Sequence, residues 1–165
     1  MFIRESSDCS LVFIGNIDIS ELETITDYFP DFMKDTAFLD RIHGIIPGWK
    51  LPKIKRSEIH LAQGYGLAVD YLSEVLHQLR KYDGLSKIEG AVELIGDYTI
   101  RDERGVMKIL SGLFKLLFPN EEYDKSELRL IASVAVEARQ RVANELSRLS
   151  PAEFPPKRLD FRVRG

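Results

Sequence analysis

The sequence predicts a mainly α-helical protein with four helices and one or two short strands. From residue 57 to about residue 149, apolar residues recur at three- and four-residue spacing, the period of helices that bury one face. Only two short stretches have strand character, LVFI at residues 11–14 and LDFRV at residues 159–163. We therefore expect helices to form most of the core.

The composition is that of a folded globular protein of one substantial domain, or of a small domain with a piece of another. The chain has 165 residues, of which 44% are hydrophobic and 30% charged, and its formal net charge is −3. This balance does not suggest nucleic-acid binding. The single cysteine, Cys9, excludes an intramolecular disulfide and suits a reducing cytosol. No apolar run is long enough to span a bilayer, so we expect a soluble cytoplasmic protein.

The run Leu11–Ile14 is predicted to be a strand buried on both faces, as in a parallel sheet. It is continuously apolar and is ended by Gly15 and Asn16. No second run of this kind follows at the spacing of a βαβ unit. We therefore expect a remnant of a parallel α/β core, whose strand pairs with LDFRV, pairs with another copy, or lies partly exposed.

Four helices are predicted between residues 57 and 150. The first runs from about Ser57 to the stop signal Asp83–Gly84, and the second covers Ser86–Ile95. The third begins near Ile100 or Arg101 and ends before Pro119.

The fourth helix has the clearest signals. Asp124 is predicted as its N-cap, with Glu127 three residues later as in a capping box. Its apolar stripe is predicted to be Leu128, Ile131, Val134, Ala135, Ala138 and Val142. Arg139 and Arg141 are expected on its solvated face, and the alternative is that they face a neighbouring subunit or DNA.

The segment DTAFLDRIHGIIPGWKLPKI, residues 35–54, combines a short apolar helical turn with a connector punctuated by glycine and proline. It contains Arg41 and the only tryptophan, Trp49. On the residues alone, Arg41 is a surface arginine paired with Asp35 or Asp40, or a cation at a helix C-terminus, and Trp49 is buried. Alternatively, Arg41 is displayed at a subunit boundary.

Five segments in order carry a resemblance to a known family: VFIGNID, DTAFLDRIHGIIPGWKLPKI, GLAVDYLSEVLHQLRK, ILSGLFKLLFP and EARQRVANEL. Together they resemble the BREX phage-defence Lon-like proteins, AAA+ ATPases often described as ATP-dependent Lon-type proteases. The resemblance covers almost the whole chain and implies the C-terminal part of the ATPase module. Residues 1–56 would be the end of the ATPase core, residues 57–150 a four-helix AAA+ lid-like bundle, and residues 151–165 a tail with a short strand.

The resemblance also implies roles for individual residues. Arg41 would be an arginine finger acting in trans, since a planar and always charged guanidinium suits the charge on a phosphoryl group in transit. Asn16 would be sensor 1, orienting the attacking water. Among the basic residues of TIRDERGVMKIL, Arg101 would be sensor 2, with Lys108 as second choice. On the residues alone, Asn16 is a turn residue and Arg101 lies at a solvated helix N-terminus.

Several elements of a complete ATPase are missing from the sequence. It contains no GxxxxGK[ST] loop, no acidic strand for magnesium and no match to the Ser-Lys domain of Lon-type proteases. Ser111 and Lys115 lie four residues apart on one predicted helix, and we interpret this spacing as coincidence. We expect ATP with Mg²⁺ to be the cofactor of the complete family protein, no tight binding by this chain alone, and therefore no hydrolysis by it alone. The three histidines have no metal-ligand spacing, so no metal site is predicted.

The expected partners are further copies of the chain or ring-forming ATPase subunits, with DNA as a possible ligand of the full-length family protein. The alternative hypothesis is a non-enzymatic helical module that binds protein or DNA. Its DNA-binding form depends on two groups of basic residues: Lys50, Lys53, Lys55 and Arg56, and Lys157, Arg158, Arg162 and Arg164.

Overall fold

The computed structural model describes residues 10–16, 24–53, 61 and 63–164. This part of the chain contains five α-helices and two strands, in the order α1 (Thr36–Leu39), α2 (Val69–Lys81), α3 (Gly84–Ile88), β1 (Val92–Ile95), α4 (Ile100–Leu117), α5 (Lys125–Leu149) and β2 (Asp160–Val163). Three short 3₁₀ turns lie at Ile25–Tyr28, Asp31–Met33 and Gly48–Lys50. The predicted mainly α fold is confirmed. Within the described ranges, no helix combines the length and apolar character that crossing a membrane requires.

Helices α4 and α5 pack against each other and form the centre of the protein. Helix α3 packs on α4, whereas β2 and α1 pack on α5. The main core contains the fully buried Val106, Leu110 and Phe114 of α4 together with Ala132 and Ala135 of α5. A second, smaller cluster joins α1 to the C-terminal half of α5.

Capping side chains set the starts of the two long helices. Asp124 accepts hydrogen bonds from the backbone N–H groups of Ser126 and Glu127, and the Glu127 carboxylate accepts one from the Asp124 N–H at 2.8 Å. The predicted capping box is therefore confirmed. Helix α4 begins in the same way, with Thr99 as N-cap and Asp102 as its reciprocal partner.

The predicted stripe of α5 is largely confirmed. Its buried members are Leu128, Ile131, Ala135, Ala138 and Val142. The prediction for Val134 is wrong, because this residue is 47% exposed.

The second predicted helix, Ser86–Ile95, is wrong in its second half. Helix α3 ends at Ile88, and Gly90 then adopts a positive φ of 79°, a conformation that costs glycine little and lets the chain turn. The chain continues as β1, which pairs antiparallel with β2, and Val92 lies opposite Val163. Both valines are buried members of the main core, so the strand pair contributes an apolar face to that core.

The predicted parallel strand at Leu11–Ile14 is also wrong. Residues 10–16 form no regular structure, and the exposed fractions of Leu11 and Ile14 are 77% and 95%. A strand needs a neighbour that satisfies its backbone groups, and β2, which was one possible partner, is paired with β1. Of the alternatives expected for this run, exposure is the one that the structure shows. The short strand predicted in LDFRV is present as β2.

Helix α2 begins at Val69, later than the predicted start near Ser57. Residues 54–60 and 62 lie outside the described residues, but the described residues 63–68 are not helical. Gly64 and Gly66 fall in this stretch. A glycine in a helix interior is less favourable than an alanine by about 1 kcal/mol. No residue of α2 is buried. The boundary predicted at residue 56 also lies outside the described residues, so the division into three parts stays a prediction.

Candidate functional site

Arg41 lies on the solvent-exposed side of a short and well-anchored element. Asp35 caps α1 by accepting a hydrogen bond from the Phe38 N–H at 3.0 Å. Leu39, at the end of α1, is fully buried against Val142 of α5. Arg41 follows two residues later and is exposed, and its guanidinium donates to the Ala37 carbonyl. Arg41 is therefore displayed to solvent from a segment whose other side is fixed in the core.

The segment on both sides of Arg41 is bound by a buried arginine, Arg139 of α5. The side chain of Arg139 is 1% exposed. Its Nη1 donates to the carbonyl oxygens of Asp40 and Ile42 at 3.1 Å and 2.6 Å. Its Nη2 donates to the carboxylate of Asp40 at 2.7 Å. Three hydrogen bonds from one guanidinium therefore hold the residues immediately before and after Arg41.

The fourth bond of Arg139 fixes the guanidinium to α4. Nε donates to Oδ1 of Asp102 at 2.9 Å, while Oδ2 of Asp102 accepts from the backbone N–H and the hydroxyl of Thr99. Lys157, in the segment after α5, donates to the same oxygen. Burial of the Asp102 carboxylate opposes its ionisation, but the hydrogen bonds from Lys157, Thr99 and Arg139 outweigh this effect and lower the pKa of Asp102 to about 2.

The face of α4 that meets residues 40–43, called the Arg41 segment, carries both predicted sensor 2 candidates. Arg101 donates to Oδ2 of Asp40, and about half of its side chain is exposed. Lys108 lies two turns further along α4 and is exposed. Partial burial, together with the positive charges of Lys108 and Arg139, lowers the pKa of His43. Arg101 and Lys108 therefore lie on either side of Gly105, along the stretch from Asp40 to His43.

Close approach between α4 and this segment depends on Gly105. A Cβ at this position would lie 3.0 Å from the carbonyl oxygen of His43 and 3.1 Å from Cδ of Arg139. Both distances are shorter than ordinary van der Waals contact, so a side chain would push the segment or the arginine away. Glycine at residue 105 leaves the space that the buried guanidinium needs.

The connector after Arg41 is attached to α5. Trp49 is 52% exposed, so the expectation of a buried tryptophan is wrong. The guanidinium carbon of Arg141 lies 6.0 Å from the centroid of its ring, in cation–π range, and Lys50 forms an ion pair with Glu137. These contacts fix the turn Gly48–Lys50 on α5, and Arg141 is partly buried beneath it.

Asn16, the predicted sensor 1 residue, is exposed at the end of the described stretch 10–16. This stretch contacts α1, since the rings of Phe13 and Phe38 pack edge to face with centroids 6.2 Å apart. The structure thus brings the Asn16 stretch to α1. At the junction of α1, α4 and α5, it places Arg101 against Asp40 and Lys108 near His43, the residues that flank Arg41 in the chain.

Arg139 is the residue that the sequence interpretation missed. The prediction of a solvated position for Arg139 is wrong, because the residue is 1% exposed. The available signal was its spacing, since it lies four residues after Ala135 and three before Val142, both on the buried stripe. An arginine at such a position is buried only where the fold places acidic partners next to it. The partners of Arg139 are distant in the sequence, so the spacing alone does not show its burial.

The basic groups on which the DNA-binding alternative depends are partly engaged in ion pairs. Lys50, Lys157 and Arg164 pair with Glu137, Asp102 and Glu93. Lys53, Arg158 and Arg162 are exposed, whereas Lys55 and Arg56 lie outside the described residues. Among the residues that the structure describes, no group of three or more histidine, cysteine, aspartate or glutamate side chains could hold a metal ion.

Comparison with known proteins gives matches over nearly the whole chain. Residues 3–160 match the family described as Lon-like protease BrxL-like, ATPase domain. The chain is 38% identical to the Lon-like protease BrxL of Escherichia coli O9:H4 (strain HS) over 151 residues, which is 88% of this chain and 21% of that protein. It is 35% identical to the Lon-like protease BrxL of Bacillus cereus (strain H3081.97) over 157 residues, which is 92% of this chain and 23% of that protein. The chain thus spans about a fifth of the length of these relatives, and it belongs to the BrxL-like ATPase domain family of Lon-like proteins.

Proposed function

We propose that this chain contributes the sensor 1, arginine-finger and lid elements of a ring-forming Lon-like AAA+ ATPase that acts in phage defence in the cytoplasm. Arg41 would reach the nucleotide bound by a neighbouring subunit, so that ATP hydrolysis depends on assembly. The observation that carries the proposal is the exposed guanidinium of Arg41 on a segment whose flanking residues are bound by the buried Arg139.

The residues at this junction suit contacts to phosphate. An arginine supplied from a neighbouring subunit stabilises the charge that develops on the transferred phosphoryl group. Arg101 and Lys108 would add positive charge from α4, and Asn16 would orient the attacking water. The sequence has no GxxxxGK[ST] loop that could hold the phosphates and magnesium, so the chain alone would not hydrolyse ATP. ATP with Mg²⁺, when bound by the complete protein, supplies the phosphoryl group for which these residues are suited.

The test is a chimera in which residues 3–160 replace the matching region of the full-length E. coli relative. Arg41→Ala should lower kcat for ATP hydrolysis by on the order of a thousandfold, with little change in ATP affinity. The exposed Arg129 on α5 provides the matched control, and Arg129→Ala should leave kcat unchanged. Unchanged hydrolysis in Arg41→Ala would refute the finger assignment.

Mixing subunits tests whether Arg41 acts in trans. Subunits with Arg41→Ala and subunits with a substituted P-loop lysine should each be inactive. Their mixture should regain part of the activity, because some neighbours then combine an intact finger with an intact P-loop. No recovery in mixed rings, with assembly verified by sedimentation, would contradict action between subunits.

A further inference from the structure

We propose that Arg139 is a positioning residue for Arg41, which holds the Asp40–Ile42 segment in the place from which Arg41 reaches its target. This inference rests on the proposed function for its effect on hydrolysis. The positioning itself concerns the chain alone and can be measured without nucleotide.

The first argument is the pattern of hydrogen bonds. Arg139 donates to the backbone carbonyls of Asp40 and Ile42, which are the residues before and after Arg41. A bond to a carbonyl fixes the path of the backbone, whereas a bond to a side chain fixes only that side chain. The same guanidinium also binds the Asp40 carboxylate, so the segment is held at three atoms.

The second argument is burial. Arg139 is 1% exposed, and the carboxylates of Asp40 and Asp102 are nearly as enclosed. Water is therefore a poor substitute for any of these bonds, and a shortened side chain would leave buried polar atoms without partners. A lysine has three donors on one atom and cannot reproduce the planar fork that spans Asp40, Ile42 and Asp102.

The third argument is the orientation of the guanidinium itself. Asp102 accepts from Nε of Arg139, and the Asp102 carboxylate is in turn fixed by Thr99 and Lys157. Gly105 leaves the space through which the arginine side chain passes. The contacts with α4 and the C-terminal segment therefore orient the guanidinium independently of its bonds to Asp40 and Ile42.

The structural test uses a nitroxide label at Arg41→Cys in a Cys9→Ser chain, with a second label at Lys81→Cys of α2 as the control. Arg139→Lys should increase the mobility of the label at residue 41, seen as narrower electron paramagnetic resonance lines, and leave the label at residue 81 unchanged. Asp40→Asn, which keeps the shape of the side chain, provides a second and milder variant with the same expected direction. Unchanged mobility at residue 41 in both variants, or an equal increase at residues 41 and 81, would overturn the proposal.

The functional test is a double-mutant cycle in the chimera. Arg139→Lys should lower kcat by about tenfold or more without changing ATP affinity, because misplacing a catalytic group by about 1 Å can cost a hundredfold. In an Arg41→Ala background, the same substitution should change kcat by less than about twofold. Equal effects in both backgrounds would show that Arg139 does not act through Arg41. If Arg41→Ala has no effect while the label at residue 41 responds, the finger assignment fails and the positioning stands.

Discussion

Arg139 and Asp102 form a salt bridge with 2.9 Å between Nε and Oδ1, and both side chains are almost completely enclosed. The pair joins the middle of α5 to the first turn of α4, and through Asp40 it also joins both helices to the segment that carries Arg41. Buried ion pairs add little stability over apolar replacements, but the loss of one partner is costly. We therefore expect this pair to determine the position of the segment that carries Arg41. We also expect the loss of one partner to lower the stability of the protein measurably.

Arg139→Met should lower the free energy of unfolding by about 3–5 kcal/mol, because two buried carboxylates lose their enclosed cation and keep only the more exposed Arg101 and Lys157 as charged partners. Arg129→Met, on the exposed face of the same helix, should change it by no more than about 0.5 kcal/mol. Urea unfolding followed by circular dichroism measures both. Similar small effects for the two variants would show that the enclosed network is not formed in solution.

The low pKa of Asp102 predicts a loss of stability in acid. The pKa is about 2 in the folded protein and 3.8 ordinarily, so the folded state favours the ionised form. The resulting contribution of about 2 kcal/mol is fully present well above pH 4 and is lost as the pH falls from about 4 to about 2. Between about pH 6 and pH 3, the unfolding free energy of the protein should therefore fall by about 1 kcal/mol more than that of Asp102→Asn. Parallel pH profiles for the two proteins would contradict this prediction.

Two glycines of α4 should respond differently to alanine. At Gly112 a Cβ would meet no atom within 4 Å, so Gly112→Ala should stabilise the protein by about 1 kcal/mol through helix propensity. At Gly105 the added Cβ would crowd the His43 carbonyl and Arg139, so Gly105→Ala should lose this gain and destabilise by about 1–2 kcal/mol. Thermal unfolding of the pair provides the comparison, and equal stabilisation by both substitutions would rule out the close approach at Gly105.

The pKa of His43 depends on the distance between its imidazole and the positive charge of Lys108. Partial burial lowers this pKa, and the charges of Lys108 and Arg139 lower it further. Lys108→Met removes one positive charge, so the protonated imidazole becomes less unfavourable and the pKa should rise. An NMR titration of the imidazole protons measures the change, with Lys81→Met on α2 as a control that should leave the pKa unchanged. The same pKa in Lys108→Met as in the unaltered chain would place Lys108 away from the Arg41 segment.

Features that depend on neighbouring residues were predictable from the sequence. The capping box of α5 needs only Asp124 and Glu127, three residues apart, and the end of α4 needs only the approach to Pro119. The exposed position of Arg41 was among the alternatives that the sequence left open. The family resemblance also came from contiguous segments, and the match over residues 3–160 confirms it.

Features that depend on distant partners were not predictable. The sequence analysis predicts Val92–Ile95 as part of a helix, and the strand is not recognisable locally because its partner lies about 70 residues away, at Asp160–Val163. The exposure of Leu11–Ile14 has a related cause, since an apolar run becomes a strand only when another strand satisfies its backbone groups.

Periodicity, caps and motifs act over a few residues, so the helical character of this protein, the starts of its two longest helices and its family follow from its amino-acid sequence. The burial of Arg139 depends on the fold, since its carboxylate partners lie 37 and 99 residues away in the chain. Enclosing a charge is costly, so an arginine can occupy a buried helix face only where the fold brings acidic groups and carbonyls to it. In this fold they come from the first turn of α4 and from the residues on either side of Arg41.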